Sequence, residues 1–291
     1  MKARDDLEQG FDLIPARRAS PLIYAVAHAG RAVPAGASAQ LQADAATIRS
    51  LEDPLVDRLI AGAEGLGANI LINRTARAYI DVNRDPEEID PRLVTGGAWR
   101  ETPRTRAGLG VVPRLGGDGK TLYRGRLPLD EVRRRIETVH RPYHAALAQL
   151  MMVARDVFGL AVLVDWHSMP ALAAEAERRR GGLKPDIVLG DRYGQSAALE
   201  YSGVVRAAFE GRGQQVAMNR PFAGGYTTQC WARPDEGFHA LQVEIDRSVY
   251  LEGVTLEPGP RFEALQTDIA VVGQALMTRL ESKKAAPESA A

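Results

Sequence analysis

The chain has 291 residues, 45% of them hydrophobic, and carries 37 Lys plus Arg against 37 Asp plus Glu. A chain of that length can bury a sizeable core, and a net charge of zero provides no basic field to hold nucleic acid or an anionic membrane. The opening MKARDDLEQGFDLIP lacks the apolar core of a secretory signal, and no run approaches the roughly 20 apolar residues of a membrane helix. With a lone Cys230, which excludes an internal disulfide and any multi-cysteine metal site, the expectation is a cytoplasmic protein of a reducing compartment.

In chain order, apolar β-branched runs predict strands over 22–27 (LIYAVA), 69–73 (NILIN), 78–82 (AYIDV), 160–166 (LAVLVDW), 186–190 (DIVLG), 214–218 (QQVAM) and 239–245 (HALQVEI). Amphipathic stretches between them predict helices over about 54–65, 129–157, 195–211 and 261–282, the second kinked or split near Pro142. The alternation predicts an α/β fold, a three-layer sandwich with a mixed, mostly parallel central sheet, in one domain over 1–291. Residues 85–127, rich in Pro, Gly and Arg, break the rhythm and read as a long loop insertion partly covering a site. The tail from about 282 reads as frayed.

Polar groups at the ends of apolar strands carry the chemistry, because ligands of open α/β sheets gather at strand carboxyl ends. His28 follows LIYAVA, and His167 closes VLVDW with Asp165 two residues earlier on the same strand face. Two imidazoles and one carboxylate around an open position form a common hydrolytic zinc arrangement, and a carboxylate such as Asp165 can take the other ring N–H of a ligating histidine. The acidic ligand is sought in LEDPLVDRLI. Asp53 before Pro54 also suits a helix N-cap, and Asp57 is the alternative one turn further on.

In RTARAYIDVNRDP, Arg77, Asp81, Asn83 and Arg84 cluster where a planar guanidinium fork could grip a carboxylate, against the plainer alternative of a surface ion pair on Asp81. Glu244 shares a strand face with Gln242, and a carboxylate on a core strand is costly without a role; general base towards water is the obvious one, an edge strand facing solvent the bland one. Gly224 and Gly225 lie in a loop that could approach a ligand closely, and Arg141 and His144 stand at the Pro142 break, lining a pocket or capping a helix.

Taken in order, HAGR, DPLVD, RAYIDVNR, RPYHAAL, VDWHSMP, DIVLGDRYG, NRPFAGGYTTQ and ALQVEIDRSVY resemble the N-formylglutamate amidohydrolase family over roughly residues 20–255. The resemblance implies a fold related to zinc carboxypeptidases and aspartoacylase-like deacylases. It also implies metal-dependent hydrolysis of N-formyl-L-glutamate to formate and L-glutamate, the last step of one histidine degradation route, with one divalent ion, zinc by preference. On that template His28 and His167 match the metal-binding histidines, with Asp53 as first choice of acid. Glu244 matches the catalytic glutamate, Asn83 and Arg84 a carboxylate clamp, and Arg77 a group polarising the scissile carbonyl. Two positions depart: Arg31 stands three residues after His28, where carboxypeptidases place their acidic ligand, and Ala29 follows His28 where the family usually has Ser. The partner expected is a small acidic N-acyl amino acid, with homo-oligomerisation left open. The rival expectations are a deacylase of another N-acyl amino acid or small peptide, and a non-catalytic binder of acidic ligands.

Overall fold

The computed structural model describes residues 10–34, 40–182, 184–253 and 255–285. Its centre is a seven-stranded sheet of β1 (Phe11–Ile14), β2 (Leu22–Val26), β3 (Asn69–Asn73), β4 (Ala161–Met169), β5 (Ile187–Gly190), β6 (Val216–Met218) and β7 (Phe238–Asp246), in the order β1-β3-β2-β4-β7-β5-β6. The pairs β2 with β4, β4 with β7 and β5 with β6 are parallel, and β5 runs antiparallel to β7. This is the mixed, mostly parallel sheet that the alternation predicts. All residues of β2 and β4 are buried, which is why their sequences are almost continuously apolar. β7 lies between β4 and β5, so Glu244 is not on an edge strand facing water.

The chain divides into two compact units, one of Met1–Asp12, Ala27–Asp53 and Ile72–Ala148, the other of Leu13–Val26, Pro54–Leu71 and Gln149–Ala291. In the second, the helices at Ala171–Arg179, Leu199–Gly211 and Phe262–Ala285 accompany the strands. Leu265, Ile269, Val272, Leu276 and Leu280 of the last helix are buried, as are Tyr201, Val205 and Phe209 of the one before it. Tyr24 and Trp166 meet edge to face at 5.2 Å between neighbouring strands, and burial raises the Tyr24 phenol pKa above its ordinary value.

In the first unit the expectation of a strand over 78–82 fails. Those residues form a turn, with Tyr79 N–H and Ile80 N–H both donating to Ala76 O. Ala78, Tyr79, Ile80 and Val82 are apolar because they are buried, not because they pair in a ladder. The helix at Leu129–Arg135 runs into a π turn (Ile136–His140) and on into Arg141–Phe158 without a break. The widened turn, in which Arg141 N–H reaches back to Ile136 O, comes just before Pro142 and makes room for a residue that has no N–H and whose ring crowds the preceding turn.

Segment 85–127 is tied down rather than loose. Arg135 is fully buried, donates to Tyr79 O and Tyr123 Oη, and stacks its guanidinium 4.2 Å from the Tyr79 ring. Val111 and Leu122 are fully buried, and Arg114 pairs with Asp90 at 2.8 Å. The helix expected over 54–65 is two single turns, Val56–Leu59 and Ala63–Leu66, separated by Gly62 at φ 90°. Among the described residues no helix is long and apolar enough to cross a membrane.

Candidate active site

His28 lies two residues beyond β2, in the first unit, and is 3% exposed. Its Nδ1 is 3.1 Å from Asp53 Oδ2 and its Nε2 is 2.8 Å from Asp81 Oδ1. A neutral imidazole has one N–H for these two carboxylates, so the other nitrogen turns a lone pair towards an oxygen, an arrangement that calls for a proton or a cation between them. Asp53 N–H donates to His28 O at 3.0 Å, which ties the DPL segment to the end of β2.

The expectation that Asp53 caps a helix with Pro54 in its first turn is corrected. The helical turn begins at Val56, and its N-cap is Leu55 at φ 61°. Leu55, two residues after Asp53, holds a left-handed conformation that costs roughly 1–2 kcal/mol. Asp57, half-buried, has its Oδ1 3.0 Å from Arg58 N–H, and Asp53 is the carboxylate beside His28.

Asp81 organises the rest of this half. Oδ1 also accepts from Asn83 N–H at 2.9 Å, while Oδ2 accepts from Arg77 Nε at 2.9 Å and Arg84 Nη2 at 3.2 Å. Burial pushes the Asp81 carboxyl up, but Arg77, His28 and Arg84 together hold it well below the usual carboxylate range. Burial depresses the Arg84 guanidinium, and Asp81 works against that. Arg84 Nε–H is buried with no acceptor. The plainer alternative that the sequence offered for Asp81 was a surface ion pair with a nearby Arg. The ion pair exists but is buried and includes His28, and the available signal was a carboxylate embedded in Ala78, Tyr79, Ile80 and Val82, where burial demands several partners.

Of the two groups expected at the Pro142 break, His144 is buried with Nε2 2.7 Å from Val82 O. Arg141 is not brought to this cluster: its side chain is 68% exposed and pairs with Glu137, four residues back on the outer helix face.

In the second unit, β4 carries Asp165 and His167 on one face, with Asp165 Oδ2 2.9 Å from His167 Nε2. That separation suits an ion pair, yet neither Asp165 oxygen is aligned to accept a hydrogen bond, and both are fully buried. Glu244 stands directly opposite His167 on β7, and Gln242 opposite Asp165. Paired residues of adjacent strands share a face, with their backbones about 5 Å apart. Gln242 Nε2 donates to Glu244 Oε1 at 2.8 Å. Arg247, past the end of β7, donates from Nε to Ser168 Oγ at 3.1 Å. Gly224 has φ 132°, and a Cβ there would meet Thr228 Oγ1 at 2.5 Å. Gly225 precedes the short helix Tyr226–Trp231, which the sequence did not suggest.

His28, Asp53 and His167, all buried, each offer one ligand atom, and these atoms lie within 4.8 Å of one another. Two imidazoles and a carboxylate leave further positions for water or substrate, as in catalytic zinc sites. Fold and site thus define an α/β protein with a candidate metal centre of hydrolytic type, with a second carboxylate, Glu244, beside one of its histidines.

The chain belongs to the N-formylglutamate amidohydrolase family, whose model matches residues 20–251. It is 29% identical to an N-formylglutamate deformylase of Pseudomonas aeruginosa, over 89% of this chain and 91% of that one. It is 31% identical to an N-formylglutamate deformylase of Pseudomonas putida, over 89% and 92%. The crystal structure of N-formylglutamate amidohydrolase from Ralstonia eutropha JMP134 superposes with a TM-score of 0.88 at 30% identity, covering 94% of this chain and 99% of that one. A gene product of Agrobacterium tumefaciens, Atu2144, shares the fold with a TM-score of 0.62 at 19% identity, over 94% of this chain and 96% of that one. Kinship of this extent makes the chain an amidohydrolase, acting on an amide bond.

Proposed function

We propose that this chain is a metal-dependent N-formylglutamate deformylase that releases formate and L-glutamate from N-formyl-L-glutamate, closing a histidine degradation route in the cytoplasm. The observation that carries this reading is the grouping of His28, Asp53 and His167 with Glu244 opposite His167, in a chain aligned over most of its length with deformylases. A divalent cation fits the residues present. His28 has a carboxylate on each ring nitrogen, and the Asp165 carboxylate is buried against His167 without a hydrogen bond. A ring nitrogen from each histidine and a carboxylate oxygen of Asp53 would hold the ion, with Asp81 and Asp165 fixing the opposite side of each ring. The donor set suits zinc. Bound there, the ion supplies Lewis acidity to the formyl carbonyl and lowers the pKa of water.

The remaining work belongs to the side chains. Gln242 holds Oε1 of Glu244 and so aims the carboxylate, whose other oxygen accepts the proton of the attacking water. A C–O bond forms at the formyl carbon, the C–N bond breaks, and Glu244 returns the proton to the leaving amine, so formate and the free amino acid depart with atoms balanced. Arg84, with its unsatisfied Nε–H, and Asn83 receive a substrate carboxylate, while Arg77 is directed at the formyl oxygen from its place on Asp81. Holding the substrate at both ends makes the attack effectively unimolecular. The test is formate release from N-formyl-L-glutamate beside acyl release from N-acetyl- and N-succinyl-glutamate. The formyl substrate should have the highest kcat/KM, and faster cleavage of a larger acyl group would replace this reading with a broader deacylase.

A further inference from the structure

The GDRYG motif has no part in the chemistry above, yet the backbone is most unusual there. Five non-glycine residues among those described have positive φ, and three belong to one cluster: Arg192 (52°), Tyr193 (59°) and Asn219 (61°). Left-handed L-residues are strained, and such conformations persist where the surroundings over-determine them, often at binding sites. The surroundings here are specific. Asn219 Oδ1 accepts from Asp191 N–H at 3.1 Å and Tyr193 N–H at 3.2 Å, and its Nδ2 donates to Asp191 Oδ1 at 2.8 Å. Arg192 N–H donates to Ala223 O at 2.8 Å. The turn is a rigid mount for two side chains.

One of them is Arg192. Among the described residues, no carboxylate, carbonyl or aromatic ring pairs with its guanidinium, although the residue is half-buried. Its place follows from register. Gly190 lies opposite Gln242 on β7, so it shares the face of Gln242 and Glu244. Segment 223–225 crosses directly over that face: a Cβ on Gly190 would come within 2.7 Å of Ala223 C. The Arg192 stem lies on the same segment, its Cγ 3.0 Å from where a Gly224 Cβ would be. Both glycines are therefore needed for Arg192 to occupy this layer above the Glu244 face.

Charge completes the argument. The proposed substrate brings two carboxylates, whereas Arg77 and Arg84 already share Asp81. We infer that Arg192 is a specificity-determining residue, its guanidinium receiving the side-chain carboxylate of an acidic N-acyl amino acid. A planar fork on a rigid mount suits a carboxylate and disfavours the isosteric amide, which brings an N–H donor to meet donors.

This inference rests on the deformylase reading, and the experiment separates the two. kcat/KM is measured for N-formyl-L-glutamate and N-formyl-L-glutamine with the metal-loaded wild type, Arg192→Gln and Arg192→Lys, with a thermal melt of each. The wild type should prefer glutamate. Arg192→Gln should lower kcat/KM on the glutamate substrate by about 10- to 100-fold, the value of a lost charge-assisted pair, and change the glutamine substrate little, so that the preference collapses. Arg192→Lys keeps the stem and charge and should fall between, which keeps the test open should Arg192→Gln fail to fold. An unchanged preference in a folded variant overturns the role of Arg192 while leaving the deformylase in place. A wild type that hydrolyses neither substrate overturns both.

Discussion

Replacing Asp81 by Asn tests the buried hub in the first unit. The side chain keeps its shape but loses its charge and one acceptor oxygen, which now serve His28 at 2.8 Å, Asn83 N–H at 2.9 Å, Arg77 at 2.9 Å and Arg84 at 3.2 Å. Whichever way the amide turns, its NH2 faces donors, either the two guanidinium groups or the His28 ring and Asn83 N–H. Removing one partner of a buried ion pair costs about 3–5 kcal/mol. Arg77, 19% exposed, can rehydrate, whereas Arg84, 10% exposed, is left largely buried without its anion, so the lower end, about 3 kcal/mol, is expected. Loss of the His28 orienting group should also weaken zinc binding by about 10- to 100-fold. Urea denaturation of the apo-protein reads the first effect, and competition with a chromophoric chelator the second. A destabilisation under about 1 kcal/mol with unchanged zinc affinity would refute the hub.

Glu244→Gln should lower kcat by about 100- to 10,000-fold with stoichiometric metal retained, since the amide cannot accept the proton; near wild-type turnover would remove Glu244 from the chemistry. Gly224→Ala, at φ 132° and with a Cβ 2.5 Å from Thr228 Oγ1, should cost at least about 1–3 kcal/mol in a urea titration, and a neutral effect would show that the loop yields easily. Burial lowers the pKa of His140 and His239 below the ordinary 6.5. Their folded-state pKa is depressed, so the stability they contribute is complete above that value and is lost as pH falls below it towards their folded values. The urea midpoint should therefore drop on acidification from about pH 7 to pH 5, and His140→Gln should flatten the slope; an identical slope in the variant would deny His140 a part.

The sheet was largely legible because buried parallel strands leave continuous apolar runs: LIYAV, NILIN and the β4 and β7 segments declared themselves by composition. AYIDV misled for the same reason, since burial alone makes a turn look like a strand. Phe11–Ile14 went unseen because a four-residue strand that is only partly buried has too weak a pattern. In the site, His28, His167 and Glu244 could be picked out as costly polar groups on apolar strands. The choice of Asp53 over Asp57, the reach of Asp81 across to His28, and the dispatch of Arg141 to solvent depend on backbone turns that no periodicity encodes. Arg192 was equally hidden: its mount is made by Asn219, 27 positions away in sequence, and by glycines whose task is to let two segments touch.

The central claim is that His28, Asp53 and His167 hold the metal on which deformylation depends, and formate release tests it most directly. Purified protein is assayed with N-formyl-L-glutamate before chelation, after chelation and dialysis, and after zinc is returned, alongside His167→Ala. Activity should vanish on chelation, return with about one equivalent of zinc per chain, and be absent from a folded, metal-free His167→Ala. Undiminished formate release from the metal-free wild type, or full metal content in His167→Ala, would contradict it.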